Sequence, residues 1–201
     1  MKTLYIYSEG GSYNNGYKDP NKPMFGSYGS IIVKNNEIIK EYTSYFKDIT
    51  NNQGELYGFI KAIMQFIKSY KSGDVYHIIV VSDSQYLVNG VNLYLDGWKK
   101  KGWKTASGDE VKNKEMWKII DYIINFSDNI LFEFQWQRGH KGKKVTKEED
   151  PNIYFNEYCD SLATGSINKA LKDLEEHVCS EINFKDIINN YIKTFKLNGG
   201  I

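Results

Sequence analysis

Four apolar β-branched residues run together in "HIIVVSD", His77 to Asp83. Strands with one wet face alternate apolar and polar residues, whereas an unbroken apolar run marks a strand covered on both faces. Such a strand belongs in a parallel or mixed sheet with helices on each side, which excludes a helical bundle and a sheet with an open face. The rest of the chain agrees. Strands are expected at about 3–8, 27–34 and 37–47, the last two forming a hairpin that turns at Asn35-Asn36. A helix is expected over about 52–70, where Leu56, Phe59, Ile60, Ile63 and Ile67 keep the i, i+3, i+4 rhythm. After the buried strand come a short helix (about 84–94), a helix (about 112–126), the strand "ILFEFQWQ" (Ile130 to Gln137) and a helix (about 156–172). The order βββαβαβα is an α/β fold with a mixed sheet.

A last amphipathic helix is expected over about 181–197, with Phe184, Ile187, Ile188, Tyr191, Ile192 and Phe195 in step and Asn183 as its cap. It reads as a layer packed on the domain. The expected organisation is a main domain over 1–165 and a helical extension over 166–201.

Two cysteines, Cys159 and Cys179, supply neither a disulfide framework nor a zinc spacing. No stretch approaches the roughly 20 apolar residues of a membrane span. Glu9 comes too early for a secretory leader. The expectation is a soluble, cytoplasmic monomer with no membrane partner. Net charge is only +1, but lysines cluster. "WKKKGWK" (Trp98 to Lys104) sets four lysines around two tryptophans, and "RGHKGKKVTK" (Arg138 to Lys147) carries five basic residues and a histidine. Basic patches with interleaved aromatics suit a phosphate backbone. Either run alone reads equally well as a solvated face.

The acids carry the chemistry. Glu9 is expected to close the first strand before a Gly10-Gly11 turn, and Glu55 to lie in the first turn of the first helix. Asp83 ends the buried strand, and Asp160 is expected to open the helix over 156–172. Strand ends and helix starts of this kind meet at one edge of an α/β sheet, where ligands bind. Singly, each acid is explained by a turn or a helix N-terminus. Together, the four could not all stay ionised without bound cations, and hard oxygen donors with no Cys or His cluster select Mg²⁺ or Mn²⁺.

These residues resemble type 1 ribonuclease H over about residues 3–165, in collinear order. "SEGGS" followed by "GSYGSII" is similar to the family's first-strand acid-Gly turn and second strand. "TNNQGELYGFIKAI" is similar to its Thr-Asn-Asn-x-x-Glu helix start, and "SDSQYLVNGV" to its Asp-Ser-x-Tyr strand end. "WKKKGWKTASGDEVKNKEMW" resembles the basic handle of handle-bearing members, and "WQRGHKG" with "NEYCDSLA" their His loop and final Asp helix.

The resemblance implies a five-stranded mixed sheet ordered 3-2-1-4-5 and cleavage of the RNA strand of RNA–DNA hybrids, leaving 5′-phosphate and 3′-hydroxyl ends. It implies that Glu9, Glu55, Asp83 and Asp160 hold two Mg²⁺ ions, about 4 Å apart, with Mn²⁺ as a substitute. His140 would assist proton transfer or product departure. Asn51, Asn52 and Gln85 would read 2′-hydroxyls, since an amide both donates and accepts. Thr50 would meet a DNA phosphate. Lys99, Lys100, Lys101 and Lys104 would grip the DNA backbone, with Trp98 and Trp103 shaping the handle.

Three features depart from the family. Glu9 stands where the family has Asp, "SYNNGYKDPNKPMF" is inserted between Gly11 and Gly26, and 19 residues separate His140 from Asp160. A longer acid at position 9 carries its carboxylate about 1 Å further out, and Mg²⁺ tolerates displaced ligands poorly, so better activity in Mn²⁺ is expected. A second reading is therefore a hybrid- or duplex-binding module that cuts weakly. A third is a nuclease of the same fold for another substrate, such as a junction or DNA end.

Overall fold

The buried run becomes the middle of β4 (Tyr76–Ser82) in a computed structural model that describes residues 1–71, 73–139, 145–176 and 183–197. β4 lies parallel to β1 (Lys2–Tyr13) on one side and to β5 (Ile130–Trp136) on the other. β2 (Phe25–Lys34) and β3 (Glu37–Lys47) extend the sheet antiparallel beyond β1. The strand order is β3-β2-β1-β4-β5, as the resemblance implies. The hairpin turns at Asn35 and Asn36, both with positive φ (51° and 63°), the conformation that a two-residue hairpin requires and that Asn tolerates.

The apolar run has two customers. Ile78 and Val80 face a large core with α1 (Asn51–Ser69) and α4 (Lys114–Ile124), while Ile79 and Val81 face a second cluster with Phe155 and Cys159 of α5 (Pro151–Glu175). Both faces are dry, so alternation has no purpose. The last helix, α6 (Phe184–Leu197), sits on the first face. Phe184 packs 5.0 Å from Phe46 and 5.2 Å from Tyr57, centroid to centroid, and Ile188 is buried beside it. Burying such side chains stabilises by roughly 1.5–3 kcal/mol each.

Three sequence expectations need correction. First, β1 does not end at Glu9: it continues to Tyr13, and Gly10 and Gly11 pair with Tyr28 and Ser27 of β2. Gly10 serves close approach rather than a turn, because a Cβ there would lie 2.8 Å from both Asn51 O and Glu55 Cγ. Second, α5 begins at Pro151, five residues early, because Asp150 caps it by accepting from the Ile153 N–H at 3.0 Å and Pro151 occupies its first position. Asp160 therefore lies in the third turn, not at a helix start, and the boundary at 165 falls inside α5. Third, the helix expected over 84–94 is α2 (Gln85–Asn89) followed by a π-helical turn (Gly90–Tyr94) and α3 (Leu95–Lys100). Gly90 packs directly on the buried Trp117 ring: a Cβ there would meet it at 2.1 Å. The basic segment thus begins inside a helix.

Candidate active site

Glu9 and Glu55 are carboxylates in places where carboxylates are expensive to keep. Glu9, inside β1, is 4% exposed, and Glu55, in the second turn of α1 rather than the first as expected, is 7% exposed. Glu9 Oε1 accepts from the Asp83 backbone N–H at 3.0 Å and from Ser82 Oγ at 3.2 Å. Glu55 Oε1 accepts from Asn51 Nδ2 at 2.7 Å, and Oε2 accepts from the Ser84 hydroxyl. All these donors are neutral. Among the described residues no Lys, Arg or His lies within ion-pair distance of Glu9, Glu55 or Asp83. Burial lifts the Glu9 carboxyl well above its usual range, and the neighbouring Asp83 and Glu55 carboxylates add to that. Burial likewise pushes Glu55 up to about 7; Asp83 adds to the rise, while the Ser84 and Asn51 hydrogen bonds oppose it.

Asp83 follows the last residue of β4 and is exposed. The end of β5 passes over it: Trp136 Nε1 donates to Asp83 O at 3.0 Å, and a Cβ on Gly139 would lie 2.5 Å from Asp83 Oδ2. His140, the next residue, lies outside the described residues, as do Lys143 and Lys144. Asp160 is exposed and follows Cys159, which is fully buried. Cys159 O occupies the space that a Cβ would need on Gly29, the ladder partner of Glu9. Burial and the nearby Glu9 carboxylate raise the Cys159 thiol well above its usual range. Glu9, Glu55 and Asp83 thus form one acidic cluster, with Asp160 one residue beyond the Cys159 that lies against the Glu9–Gly29 pair.

Among the described residues, no three carboxyl, thiol or imidazole groups point at one spot closely enough to hold an ion. Glu9 and Glu55 turn instead to hydroxyl, amide and backbone donors. The donor set still fits a hard divalent cation: all oxygen and negative, with two of its carboxylates buried and no counter-cation at Glu9, Glu55 or Asp83 among the described residues.

The substrate candidates divide. Thr50 caps α1 in a reciprocal capping box with Gln53. Asn52 and Gln85 are exposed, whereas the Asn51 amide is engaged with Glu55. Lys100, Lys101 and Lys104 are exposed with no acid within 4 Å among the described residues, but Lys99 is bridged to Asp121 at 2.7 Å. Trp98 packs on Tyr94 and Trp117, with centroids at 5.7 and 5.2 Å, and Trp103 packs partly buried against the main core.

Sequence reasoning missed Ser82, Ser84 and Asn15. Ser84 has a readable signal, since it is the N-cap of α2 and accepts from Leu87 N at 3.1 Å. Asn15, in the insertion, accepts from the Asn51 backbone N–H at 3.3 Å and has no sequence signal.

Residues 1–168 match the family profile described as RNase H. The chain is 33% identical over 175 residues to ribonuclease HI of Haemophilus ducreyi, covering 87% of this chain and 97% of that one. Its fold is similar to LC9-RNase H1, described as a type 1 RNase H with the type 2 active-site motif, with a TM-score of 0.61, 21% identity, and 84% and 74% of the two chains covered. It is also similar to the foamy viral protease-reverse transcriptase solved with an RNA/DNA hybrid, with a TM-score of 0.62, 19% identity and 82% of this chain covered, though only 20% of that one.

Proposed function

The chain belongs to the ribonuclease H family, and on that premise we propose that it hydrolyses the RNA strand of RNA–DNA hybrids, leaving 5′-phosphate and 3′-hydroxyl ends. The observation that carries this reading is the pair of buried carboxylates Glu9 and Glu55 meeting the exposed Asp83 without a counter-cation, near the exposed amides of Asn52 and Gln85. With Asp160, these acids would hold two Mg²⁺ ions, with Mn²⁺ as a substitute. When bound, such ions activate the attacking water and stabilise charge on the leaving oxygen.

The chain's own residues orient the reaction. Ser84 and Asn51 fix both oxygens of Glu55, and Ser82 with the Asp83 N–H fixes one oxygen of Glu9. Asn52 and Gln85 can donate to and accept from a 2′-hydroxyl, which DNA lacks. Thr50, Lys100, Lys101 and Lys104 would hold backbone phosphates, and His140 would move a proton at the scissile phosphate. Residues 1–165 would form the catalytic unit and 166–201 its extension. Among the described residues no helix is long and apolar enough to cross a membrane.

The decisive assay uses duplex DNA containing one stretch of four ribonucleotides, beside all-DNA and double-stranded RNA controls. Cutting is expected within the ribonucleotide stretch alone. Equal cutting of all-DNA removes the roles given to Asn52 and Gln85 and favours a nuclease for another substrate.

The acidic cluster also sets a pH dependence. Glu55 is pushed up to about 7 in the folded chain, against an ordinary value of 4.5. Between those values the folded chain holds a proton that the unfolded chain has released. Stability of the metal-free protein should therefore fall as pH rises through that window, on the order of 3 kcal/mol for this group. Melting in a chelator should show the fall, Glu55→Gln should lessen it and leave the part that Glu9 contributes, and added Mg²⁺ should restore stability at neutral pH. A melting temperature that is level across the window contradicts the uncompensated cluster.

A further inference from the structure

Two features beyond the family's usual outline meet in one place: the Ser12–Phe25 insertion, and α6, which lies past the matched residues 1–168. A groove of about 1000 Å³ runs between the β3–α1 turn, the segment leading into α4, and the first turns of α6. The insertion forms part of its rim. Tyr17 OH donates to Asp48 Oδ1 at 2.5 Å, and Asn14 closes the loop, its amide donating to Asp19 O and Lys22 O at 2.8 Å each. Asp48 and Gln53 line the groove on either side of the α1 cap Thr50, so the groove borders the end of α1 that also carries Asn52.

The charge balance decides what such a groove accepts. Its acids are Asp48, Glu110 and Glu115. Glu110 is paired with Lys114 and Glu115 with Lys118, while Asp48 accepts the neutral Tyr17 hydroxyl and counts as one acid against the cations that follow. Lys47, Lys112 and Lys185 also line it, all exposed, and none has an acid within 4 Å among the described residues. Phe184 and Ile188 anchor α6 in the core, which holds Lys185 and Asn189 at the groove instead of leaving them on a loose tail. Three unpaired cations along a groove that borders the start of α1 match a row of phosphates.

We infer that α6 is a nucleic-acid-contacting helix: Lys185 and Asn189, facing Lys47 and Lys112 across the groove, hold the sugar–phosphate backbone of the duplex beyond the cleavage site. This rests on the hybrid-cutting reading above and adds to it a grip that the matched domain lacks.

The test is the salt dependence of binding, with the full chain, chelator present and a labelled RNA–DNA hybrid several helical turns long. Lys185→Ala should weaken binding on the order of 5- to 10-fold near 0.1 M salt and lower the log–log slope by about 0.9, as loss of one phosphate contact does. Lys185→Glu should weaken it further. Lys193→Ala, which removes an equal charge from an exposed position on α6 away from the groove, should change the slope little. All three substitutions are at exposed positions, and unchanged melting temperatures exclude unfolding as the cause. An unchanged slope in Lys185→Glu, or an equal loss in Lys193→Ala, overturns the role of α6 while leaving hybrid cutting intact. Wild-type protein that fails to bind hybrid overturns the functional reading itself.

Discussion

Asp83→Asn is expected to slow hybrid cleavage on the order of a thousandfold, roughly 4 kcal/mol of barrier, while hybrid binding survives. The side chain is exposed, so the change removes no core contact. The backbone N–H that Glu9 accepts from belongs to the main chain and persists. What is lost is one anionic oxygen donor from a site whose chemistry depends on collecting them. Loss of that charge also relieves Glu9 and Glu55, which both rise because of it. The metal-free variant should therefore melt no lower than wild type at neutral pH, and higher if repulsion dominates. Single-turnover cleavage, binding of uncut hybrid and melting in chelator together make the check. Turnover within tenfold of wild type would take Asp83 out of the metal site.

The parts of this protein legible in its sequence are those fixed by local pattern. Ile78 to Val81 announced a strand dry on both faces, and Asn35-Asn36 announced a hairpin, because each signal is carried by neighbouring residues. The acids at 9, 55 and 83 were legible as a set because three motifs place them on elements that share one sheet edge. The misreadings came from local signals with two meanings. Gly10-Gly11 reads as a turn, yet glycine is needed there because α1 presses against β1, a contact between residues about 45 apart. Asp150-Pro151 was a readable cap and first-turn pair that apolar periodicity alone passed over, and this moved Asp160 five residues further into its helix. Other features could not be read at all. Ser84 reaches Glu55 across 29 positions and Asn15 reaches Asn51 across 36, and no periodicity encodes such a meeting. The groove wall formed by Lys185 is of the same kind, since the amphipathic pattern of α6 says that it packs without saying where.

The hydrogen bonds of Glu9 argue for the opposite sign of one expectation. Read from sequence, Glu9→Asp should restore the family's acid and raise Mg²⁺-dependent turnover. In the folded chain, however, the longer arm is what lets Oε1 reach the Asp83 N–H at 3.0 Å and the Ser82 hydroxyl at 3.2 Å. Removing one methylene draws the carboxylate back by about 1 Å and breaks both contacts, at a site only 4% exposed where water cannot readily replace them. Glu9→Asp is therefore expected to lose activity in Mg²⁺ and Mn²⁺ alike, on the order of 100-fold, the usual cost of a displacement of that size among reacting groups. A readout independent of metal accompanies it: stability in chelator should fall by about 1–3 kcal/mol, because the Asp83 N–H loses its acceptor, although the Ser82 hydroxyl keeps Ser8 O at 2.9 Å. Glu9→Gln separates geometry from charge, since its amide oxygen can still accept both bonds. It should keep the metal-free stability of wild type or exceed it while losing turnover. If Glu9→Asp instead cuts faster in Mg²⁺ and melts like wild type, the anchoring by Ser82 and the Asp83 N–H is incidental, and the site tolerates Glu9 rather than being built around it.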